Sequence, residues 1–165
     1  MTLFLLGCLD HTPIPGGEGE SFVAMQSHFS DYQSWDAIEV ETGDTGHTSG
    51  SRTVYLNAAP PEGSESFPVG TILLKTIVYD GGMDIHARAK RGGGFNADGA
   101  PGWEWFELIL SDGVPVIKWR GETAPSGEVY QSLPGSTDSA DTITGDCNTC
   151  HHAAANNDFV FSVGL

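Results

Sequence analysis

Cys147-Asn148-Thr149-Cys150-His151 is a Cys-x-x-Cys-His run, the one arrangement in this chain able both to fix a haem covalently and to ligate its iron. Two thiols three positions apart on a helical turn can add across the two vinyl groups of one porphyrin, and the adjacent His151 then reaches the metal. Two other chemistries use paired thiols. A structural zinc site asks for a second Cys or Cys/His pair at similar spacing, whereas the remaining thiol, Cys8, lies far away with no metal-like partner beside it. A redox disulfide asks for a parallel strand leading into a helix, and nothing of that kind precedes the run. The haem reading is therefore the expectation, with Cys147, Cys150 and His151 as attachment and iron ligand.

In the 165-residue chain 14 residues follow His151, so the pocket is expected to come from the sequence before it. The methionines are Met1, Met25 and Met83, all upstream. Either one of Met25, Met83, His11, His28, His47, His86 and His152 crosses the iron, or the sixth position is open, which means binding or catalysis at iron. His152 reads as a surface residue and His86 as packed or exposed on a strand. Lys75 stands inside the apolar run 71–79, where alternation places it on the face of Leu73, Ile77 and Tyr79. A buried lysine loses proton affinity and becomes a nucleophile; a lysine guarding a sheet edge stays charged, and position alone favours the edge.

These residues need a scaffold, and the composition supports one domain with a core: 39% apolar and 10% aromatic residues. Against 7 Lys+Arg stand 22 Asp+Glu, a formal charge of −15, which repels phosphate backbones and excludes nucleic acid while favouring basic redox partners and solubility. Residues 1–8 end in Leu5-Leu6-Gly7-Cys8 and look like the remnant of a lipoprotein signal, with Cys8 the lipid anchor; the apolar stretch is too short for a whole signal segment, so a truncated or misassigned start is expected. Residues 9–20, rich in Pro, Gly and acids, read as a flexible tether, and 21–165 as the haem-binding domain. Export to the periplasm or an outer-membrane anchorage fits covalent haem attachment in bacteria.

Within the domain a short helix is expected from about Ser30 to Ile38, on the spacing of Phe29, Tyr32, Trp35 and Ile38. Short β-rich runs follow at 52–57, 71–79, 83–90, 102–110 and 114–119, bounded by Gly, Pro, Asp and Asn. Asp80-Gly81-Gly82 and Ser111-Asp112-Gly113 read as hairpin turns, and Pro115 puts the last run at an edge or bulge. The Cys-x-x-Cys-His segment sits on a short helix capped by Thr144 or Asp146 and ending near Asn156 and Asn157, with Phe159-Val160-Phe161 as a closing strand. The fold class is α+β: a mainly antiparallel sheet of about five strands with short helices and haem attached near the C-terminus.

Taken together, Arg52-Thr53-Val54-Tyr55-Leu56-Asn57, Phe67-Pro68-Val69-Gly70-Thr71 leading to Lys75, Trp103-Glu104-Trp105, and Cys147-x-x-Cys150-His151 followed by Asp158-Phe159-Val160-Phe161 resemble the cytochrome P-460 family. The likeness runs from about Phe22 to Phe161 and rests on the order and spacing of the pieces. It implies a β-rich, often dimeric periplasmic protein with five-coordinate haem c. Its lysine-cross-linked members oxidise hydroxylamine to nitrogen oxides and pass electrons to a redox-partner cytochrome; the β-type cytochrome c′ relatives bind nitric oxide without turnover. By this resemblance Lys75 is the cross-linking residue, which reverses the edge reading, while Lys90 and Lys118 look solvated. A carboxylate in an apolar site can take substrate protons, and Glu104, between two tryptophans, is the first candidate and Glu107 the second. Arg52 would orient a distal water or bind a haem propionate, and Phe67 would wall the distal pocket or fill the core. Plain electron transfer remains a third role and requires a sixth ligand such as Met83. The stretch 91–102 is longer and richer in glycine than the family pattern.

Overall fold

The computed structural model describes residues 21–40, 50–125 and 147–165. Cys8, the tether, His11, His47, Thr144 and Asp146 lie outside the described residues. Six strands form one antiparallel sheet in chain order: β1 (Asp36–Val40), β2 (Ser51–Leu56), β3 (Ile72–Tyr79), β4 (Gly82–Lys90), β5 (Trp103–Ser111) and β6 (Val114–Gly121). A helix, α1 (Cys147–His151), runs directly into a 3-10 segment, His152–Asn157. The α+β, mainly antiparallel class is thus present, with one strand more than expected.

The extra strand is β1, which replaces the second half of the helix expected over 30–38. Aromatic residues three apart also suit 3-10 geometry, at three residues per turn, and the chain makes two such turns, Gln26–Phe29 and Tyr32–Ser34. From Asp36 the sequence alternates and pairs with β2, Ile38 opposite Val54. The expected closing strand at 159–161 is absent as well. Asp158 and Phe159 both take left-handed backbone, φ 49° and 65°, which no extended strand contains.

The turns follow their chemistry. β5 and β6 join through Asp112-Gly113, both at positive φ (52° and 80°), as a two-residue hairpin matched to strand twist requires. β3 and β4 join through Asp80-Gly81. Pro115 lies on β6, an edge of the sheet, as its missing N–H demands. A register shift at Glu107/Leu108 pairs Glu107 with Trp119 and Leu108 with Ile117, leaving Lys118 as the extra residue of a bulge.

Alternation along the strands sorts the side chains onto two faces. On the first, Ile72, Leu74, Ile85, Ala87, Ala89, Phe106 and Leu108 pack against Ala24, Phe29 and Tyr32 of the N-terminal turns. On the second, Val54, Leu56, Leu73, Trp103, Trp105 and Trp119 pack with Phe67, Ala100 and Val160, and Cys147 and Phe159 lie against them. The sheet therefore carries a core on each side, and the Cys-x-x-Cys-His helix belongs to the second. Among the described residues no helix is long and apolar enough to cross a membrane.

Candidate functional site

Cross-strand pairing lines up the polar residues of the second face. Val54 stands opposite Lys75, Lys75 opposite His86, His86 opposite Glu107, and Glu107 opposite Trp119. One step along, Leu73 faces Arg88 and Arg88 faces Trp105; beyond them Lys90 faces Trp103. Val54, Leu73, Lys75, His86, Ala87, Arg88 and Trp105 line a cleft of about 40 Å³ in this face. At about 10–15 Å³ for one water, that volume has room for a few water-sized molecules.

The electrostatics of the cleft follow from its apolar walls. Burial, reinforced by the charges of Arg88 and Arg52, lowers the Lys75 amine to about 7, so a large share is neutral and nucleophilic at neutral pH. Burial, with Lys75 nearby, lowers His86 to about 4. The same cause brings Arg88 to about 10, opposed by Cys147 and Asp158, and it stays charged. His151 falls to about 2, through burial first and the Arg88 charge second.

Helix α1 is docked by hydrogen bonds from its second residue. Asn148 Oδ1 accepts from Trp105 Nε1 at 2.7 Å and from Asn96 Nδ2 at 2.8 Å, and Asn148 Nδ2 returns a bond to Asn96 Oδ1 at 2.9 Å. Asn96 also donates to the Trp103 carbonyl at 2.9 Å, which ties the 91–102 loop to the sheet. At Gly99 a Cβ would collide with the Asn148 and Asn96 amides, so this glycine makes room for the helix. The long glycine-rich stretch thus receives α1.

The His151 ring lies 4.8 Å from Trp105 and 5.2 Å from Phe161, centroid to centroid. Its Nδ1 is 2.9 Å from the Phe159 carbonyl. With that proton donated to the carbonyl, Nε2 keeps its lone pair, the form in which an imidazole binds a metal. Cys147 and Cys150 are half-buried and not disulfide-bonded. Among the described residues no group of three or more His, Cys, Asp and Glu side chains is arranged to hold a metal ion. Two thiols on one helical turn, a histidine oriented through Nδ1 and aromatic rings beside it make a donor set that fits a c-type haem.

The expected site residues do not all arrive together. Lys75, Arg52, Cys147 and His151 share the second face: Arg52 is buried two positions from Val54 on β2, and its charge acts on Lys75. Phe67 is fully buried under Trp103, its ring 5.8 Å away, and is not a wall of the cleft; it fills the core. Glu104 is the larger correction. It points from β5 to the first face, opposite Ala89, and ends in ion pairs to Arg120, 2.6 Å from Nη2, and Arg91, 3.4 Å from Nη1. A carboxylate on the far side of the sheet and already paired with two guanidinium groups cannot accept protons in the cleft. Its neighbours Trp103 and Trp105 are of the other parity, and strand alternation carries that signal. Glu107 does share the cleft face, where the bulge lets Lys118 (2.9 Å) and Trp119 (2.6 Å) both donate to it.

His86, expected to be packed or exposed, lines the cleft beside Lys75. Lys90, expected in solvent, is buried and bonded to Asp158 at 2.7 Å. Arg88 has no motif to mark it, yet in His86-Ala87-Arg88-Ala89-Lys90 three nitrogen-bearing side chains, two of them cationic, recur at every second position between alanines, which marks a polar stripe on one face. His152 is exposed, as expected. No family model matches the chain, and no match among curated proteins emerges.

Proposed function

We propose that the protein is a mono-haem c-type cytochrome that oxidises hydroxylamine, with Cys147 and Cys150 as attachment thiols, His151 as iron ligand and Lys75 as the residue that cross-links to the haem edge. The observation that carries the reading is the docking of the Cys147–His151 turn onto the sheet face that also holds a lysine lowered to about 7 beside a small cleft. A haem held there would supply an iron with one open coordination position and accept electrons from the substrate.

The chain's own residues then have separable tasks. Lys75, its amine partly neutral, would supply the nitrogen of a C–N bond to the haem edge, a step that gives up one C–H and one N–H hydrogen as two protons and two electrons to an external oxidant such as peroxide. His86 stands next to Lys75 and is unprotonated above about pH 4, so it can accept a hydrogen bond from a ligand in the cleft without holding its proton. Glu107, directly across from His86 on the same face, is the carboxylate that takes the proton, and Lys118 and Trp119 fix its orientation. Arg52 adds positive charge near Lys75, which favours anionic forms of the substrate. Val54, Leu73 and Trp105 restrict access to small molecules. We place the protein in the bacterial periplasm, with electrons leaving to a basic redox partner drawn by the chain's charge of −15.

The small apolar-walled cleft also suits nitric oxide, and one measurement separates the two readings. Protein matured in an export-competent host should carry one haem by mass and show a ferric main band that is red-shifted and broadened, with hydroxylamine-dependent reduction of an acceptor. Lys75→Ala should restore an ordinary band and abolish turnover. An ordinary five-coordinate band in the wild type with nitric oxide binding and no turnover would establish the gas-binding role instead, and a six-coordinate low-spin spectrum would establish electron transfer.

A further inference from the structure

Arg88 has no part in attachment or proton transfer, yet its guanidinium lies within contact distance of the proposed iron ligand. Its Nη1 lies 2.7 Å from the Phe159 carbonyl oxygen and 3.1 Å from His151 Nδ1. His151 Nδ1 is 2.9 Å from that same carbonyl. A guanidinium has only donors and a carbonyl has two lone pairs, so the Phe159 oxygen can accept from Arg88 and from His151 Nδ1–H together. The arginine–histidine contact is then a positive charge beside an N–H dipole, not a hydrogen bond. In the other tautomer Arg88 donates to a bare Nδ1, and the proton on Nε2 prevents metal binding.

The shared carbonyl is held in place by costly backbone. Asp158 and Phe159 are consecutive non-glycine residues at left-handed φ, a conformation that survives only where its surroundings enforce it. The Asp158 carboxylate accepts from the Phe67 N–H at 2.9 Å, Lys90 Nζ at 2.7 Å and Trp103 Nε1 at 3.3 Å. Trp103 Nε1 also donates to the Asp158 carbonyl at 2.8 Å. The guanidinium itself sits 5.7 Å and 5.6 Å from the ring centres of Trp103 and Trp105, so its charge is confined between two aromatic faces.

We propose that Arg88 is a positioning residue that, by sharing the Phe159 carbonyl with His151 and fixing a positive charge beside Nδ1, keeps His151 a neutral, weakly donating axial ligand and raises the reduction potential of the haem. This rests on the haem reading above. An acceptor that draws strongly on Nδ1–H pushes the imidazole toward imidazolate and strengthens its donation to the metal. Here part of that acceptor's capacity goes to Arg88. The nearby charge also disfavours the ferric state relative to the ferrous one, so both effects have the same sign.

Haem-loaded wild type, R88Q and R88K would be compared by potentiometric titration, by the ferrous iron–histidine stretch in resonance Raman, and by haem content from intact mass. R88Q should lower the ferrous-to-ferric ratio at fixed ambient potential at least about tenfold, or ~59 mV for a one-electron couple, and raise the stretch frequency at full haem content. R88K, which keeps the charge, should recover most of the potential. Unchanged potential and stretch in fully loaded R88Q would overturn the proposal. Should R88Q not accumulate, the wild-type stretch alone decides: a neutral-imidazole frequency supports the role and an imidazolate-like one overturns it. A bare polypeptide mass in the wild type would remove the haem reading and this inference together, an outcome distinct from loaded protein with an unmoved potential.

Discussion

The two faces of the sheet are built from the same strands and differ only in which alternate residues they receive. The first is apolar and closed by the N-terminal turns, and its buried acid, Glu104, is neutralised on the spot by Arg120 and Arg91. The second gathers Arg52, Lys75, His86, Arg88, Lys90 and Glu107 among three tryptophans. The first face can be explained by stability alone. The second bears desolvated cations with lowered proton affinity, a cost that a merely structural face would avoid by using aliphatic residues.

That contrast is open to attack from either side. The largest effect should come from C147S/C150S, which is expected to abolish covalent haem entirely while leaving the sheet's circular dichroism intact; retained haem mass would break the assignment of the second face. Next, Glu104→Gln should destabilise the fold by about 2–3 kcal/mol in urea titration, below the full value for a buried pair because Arg120 and Arg91 are partly exposed. The same variant should keep the wild-type optical spectrum and turnover, and a lost turnover with haem retained would return Glu104 to the mechanism.

Glu107→Gln supplies the opposite pattern, with turnover reduced about tenfold or more and haem content unchanged. Lys75 and His86 give the faces different pH behaviour. In C147S/C150S, where the amine stays free, folded Lys75 titrates near 7 but the unfolded residue near about 10.4. Between those values only the unfolded chain binds the proton, so stability should climb as pH rises across that window, with the full penalty present below it. Lys75→Met should flatten that climb. His86 predicts a second climb from about 4 to about 6.5 that His86→Gln removes. The smallest effect is expected from Asn148→Ala, about 1–2 kcal/mol for the lost bonds to Trp105 and Asn96.

Much of the scaffold was legible in sequence because five β-rich runs are bounded by turn residues, and two of the turns carry Asp-Gly pairs, which encode hairpins locally. The errors arose where period three stood for two structures: Phe29, Tyr32 and Trp35 fit a helix or successive 3-10 turns, and only pairing with β2 decides for β1. Phe159-Val160-Phe161 read as a strand because left-handed backbone at two non-glycine residues has no compositional mark; it depends on Asp158 bonding to residues far away in sequence. The Cys-x-x-Cys-His run stands out in sequence because its residues are contiguous, and the structure adds the face on which it docks. Glu104 was misplaced by weighing its sequence neighbours over its parity, and Arg88 was overlooked because its role depends on a carbonyl 71 residues later.

Strands laid down in chain order have a consequence for maturation. Each one can pair with the hairpin arm just completed, so the platform can form before the attachment helix is delivered to it. The thiols would then remain within reach of modifying enzymes until the last segment swings home and the Phe159 carbonyl locks the histidine ring. On the proposed haem reading, covalent loading would then precede final closure, and a pigment that arrives too late would meet a door already shut.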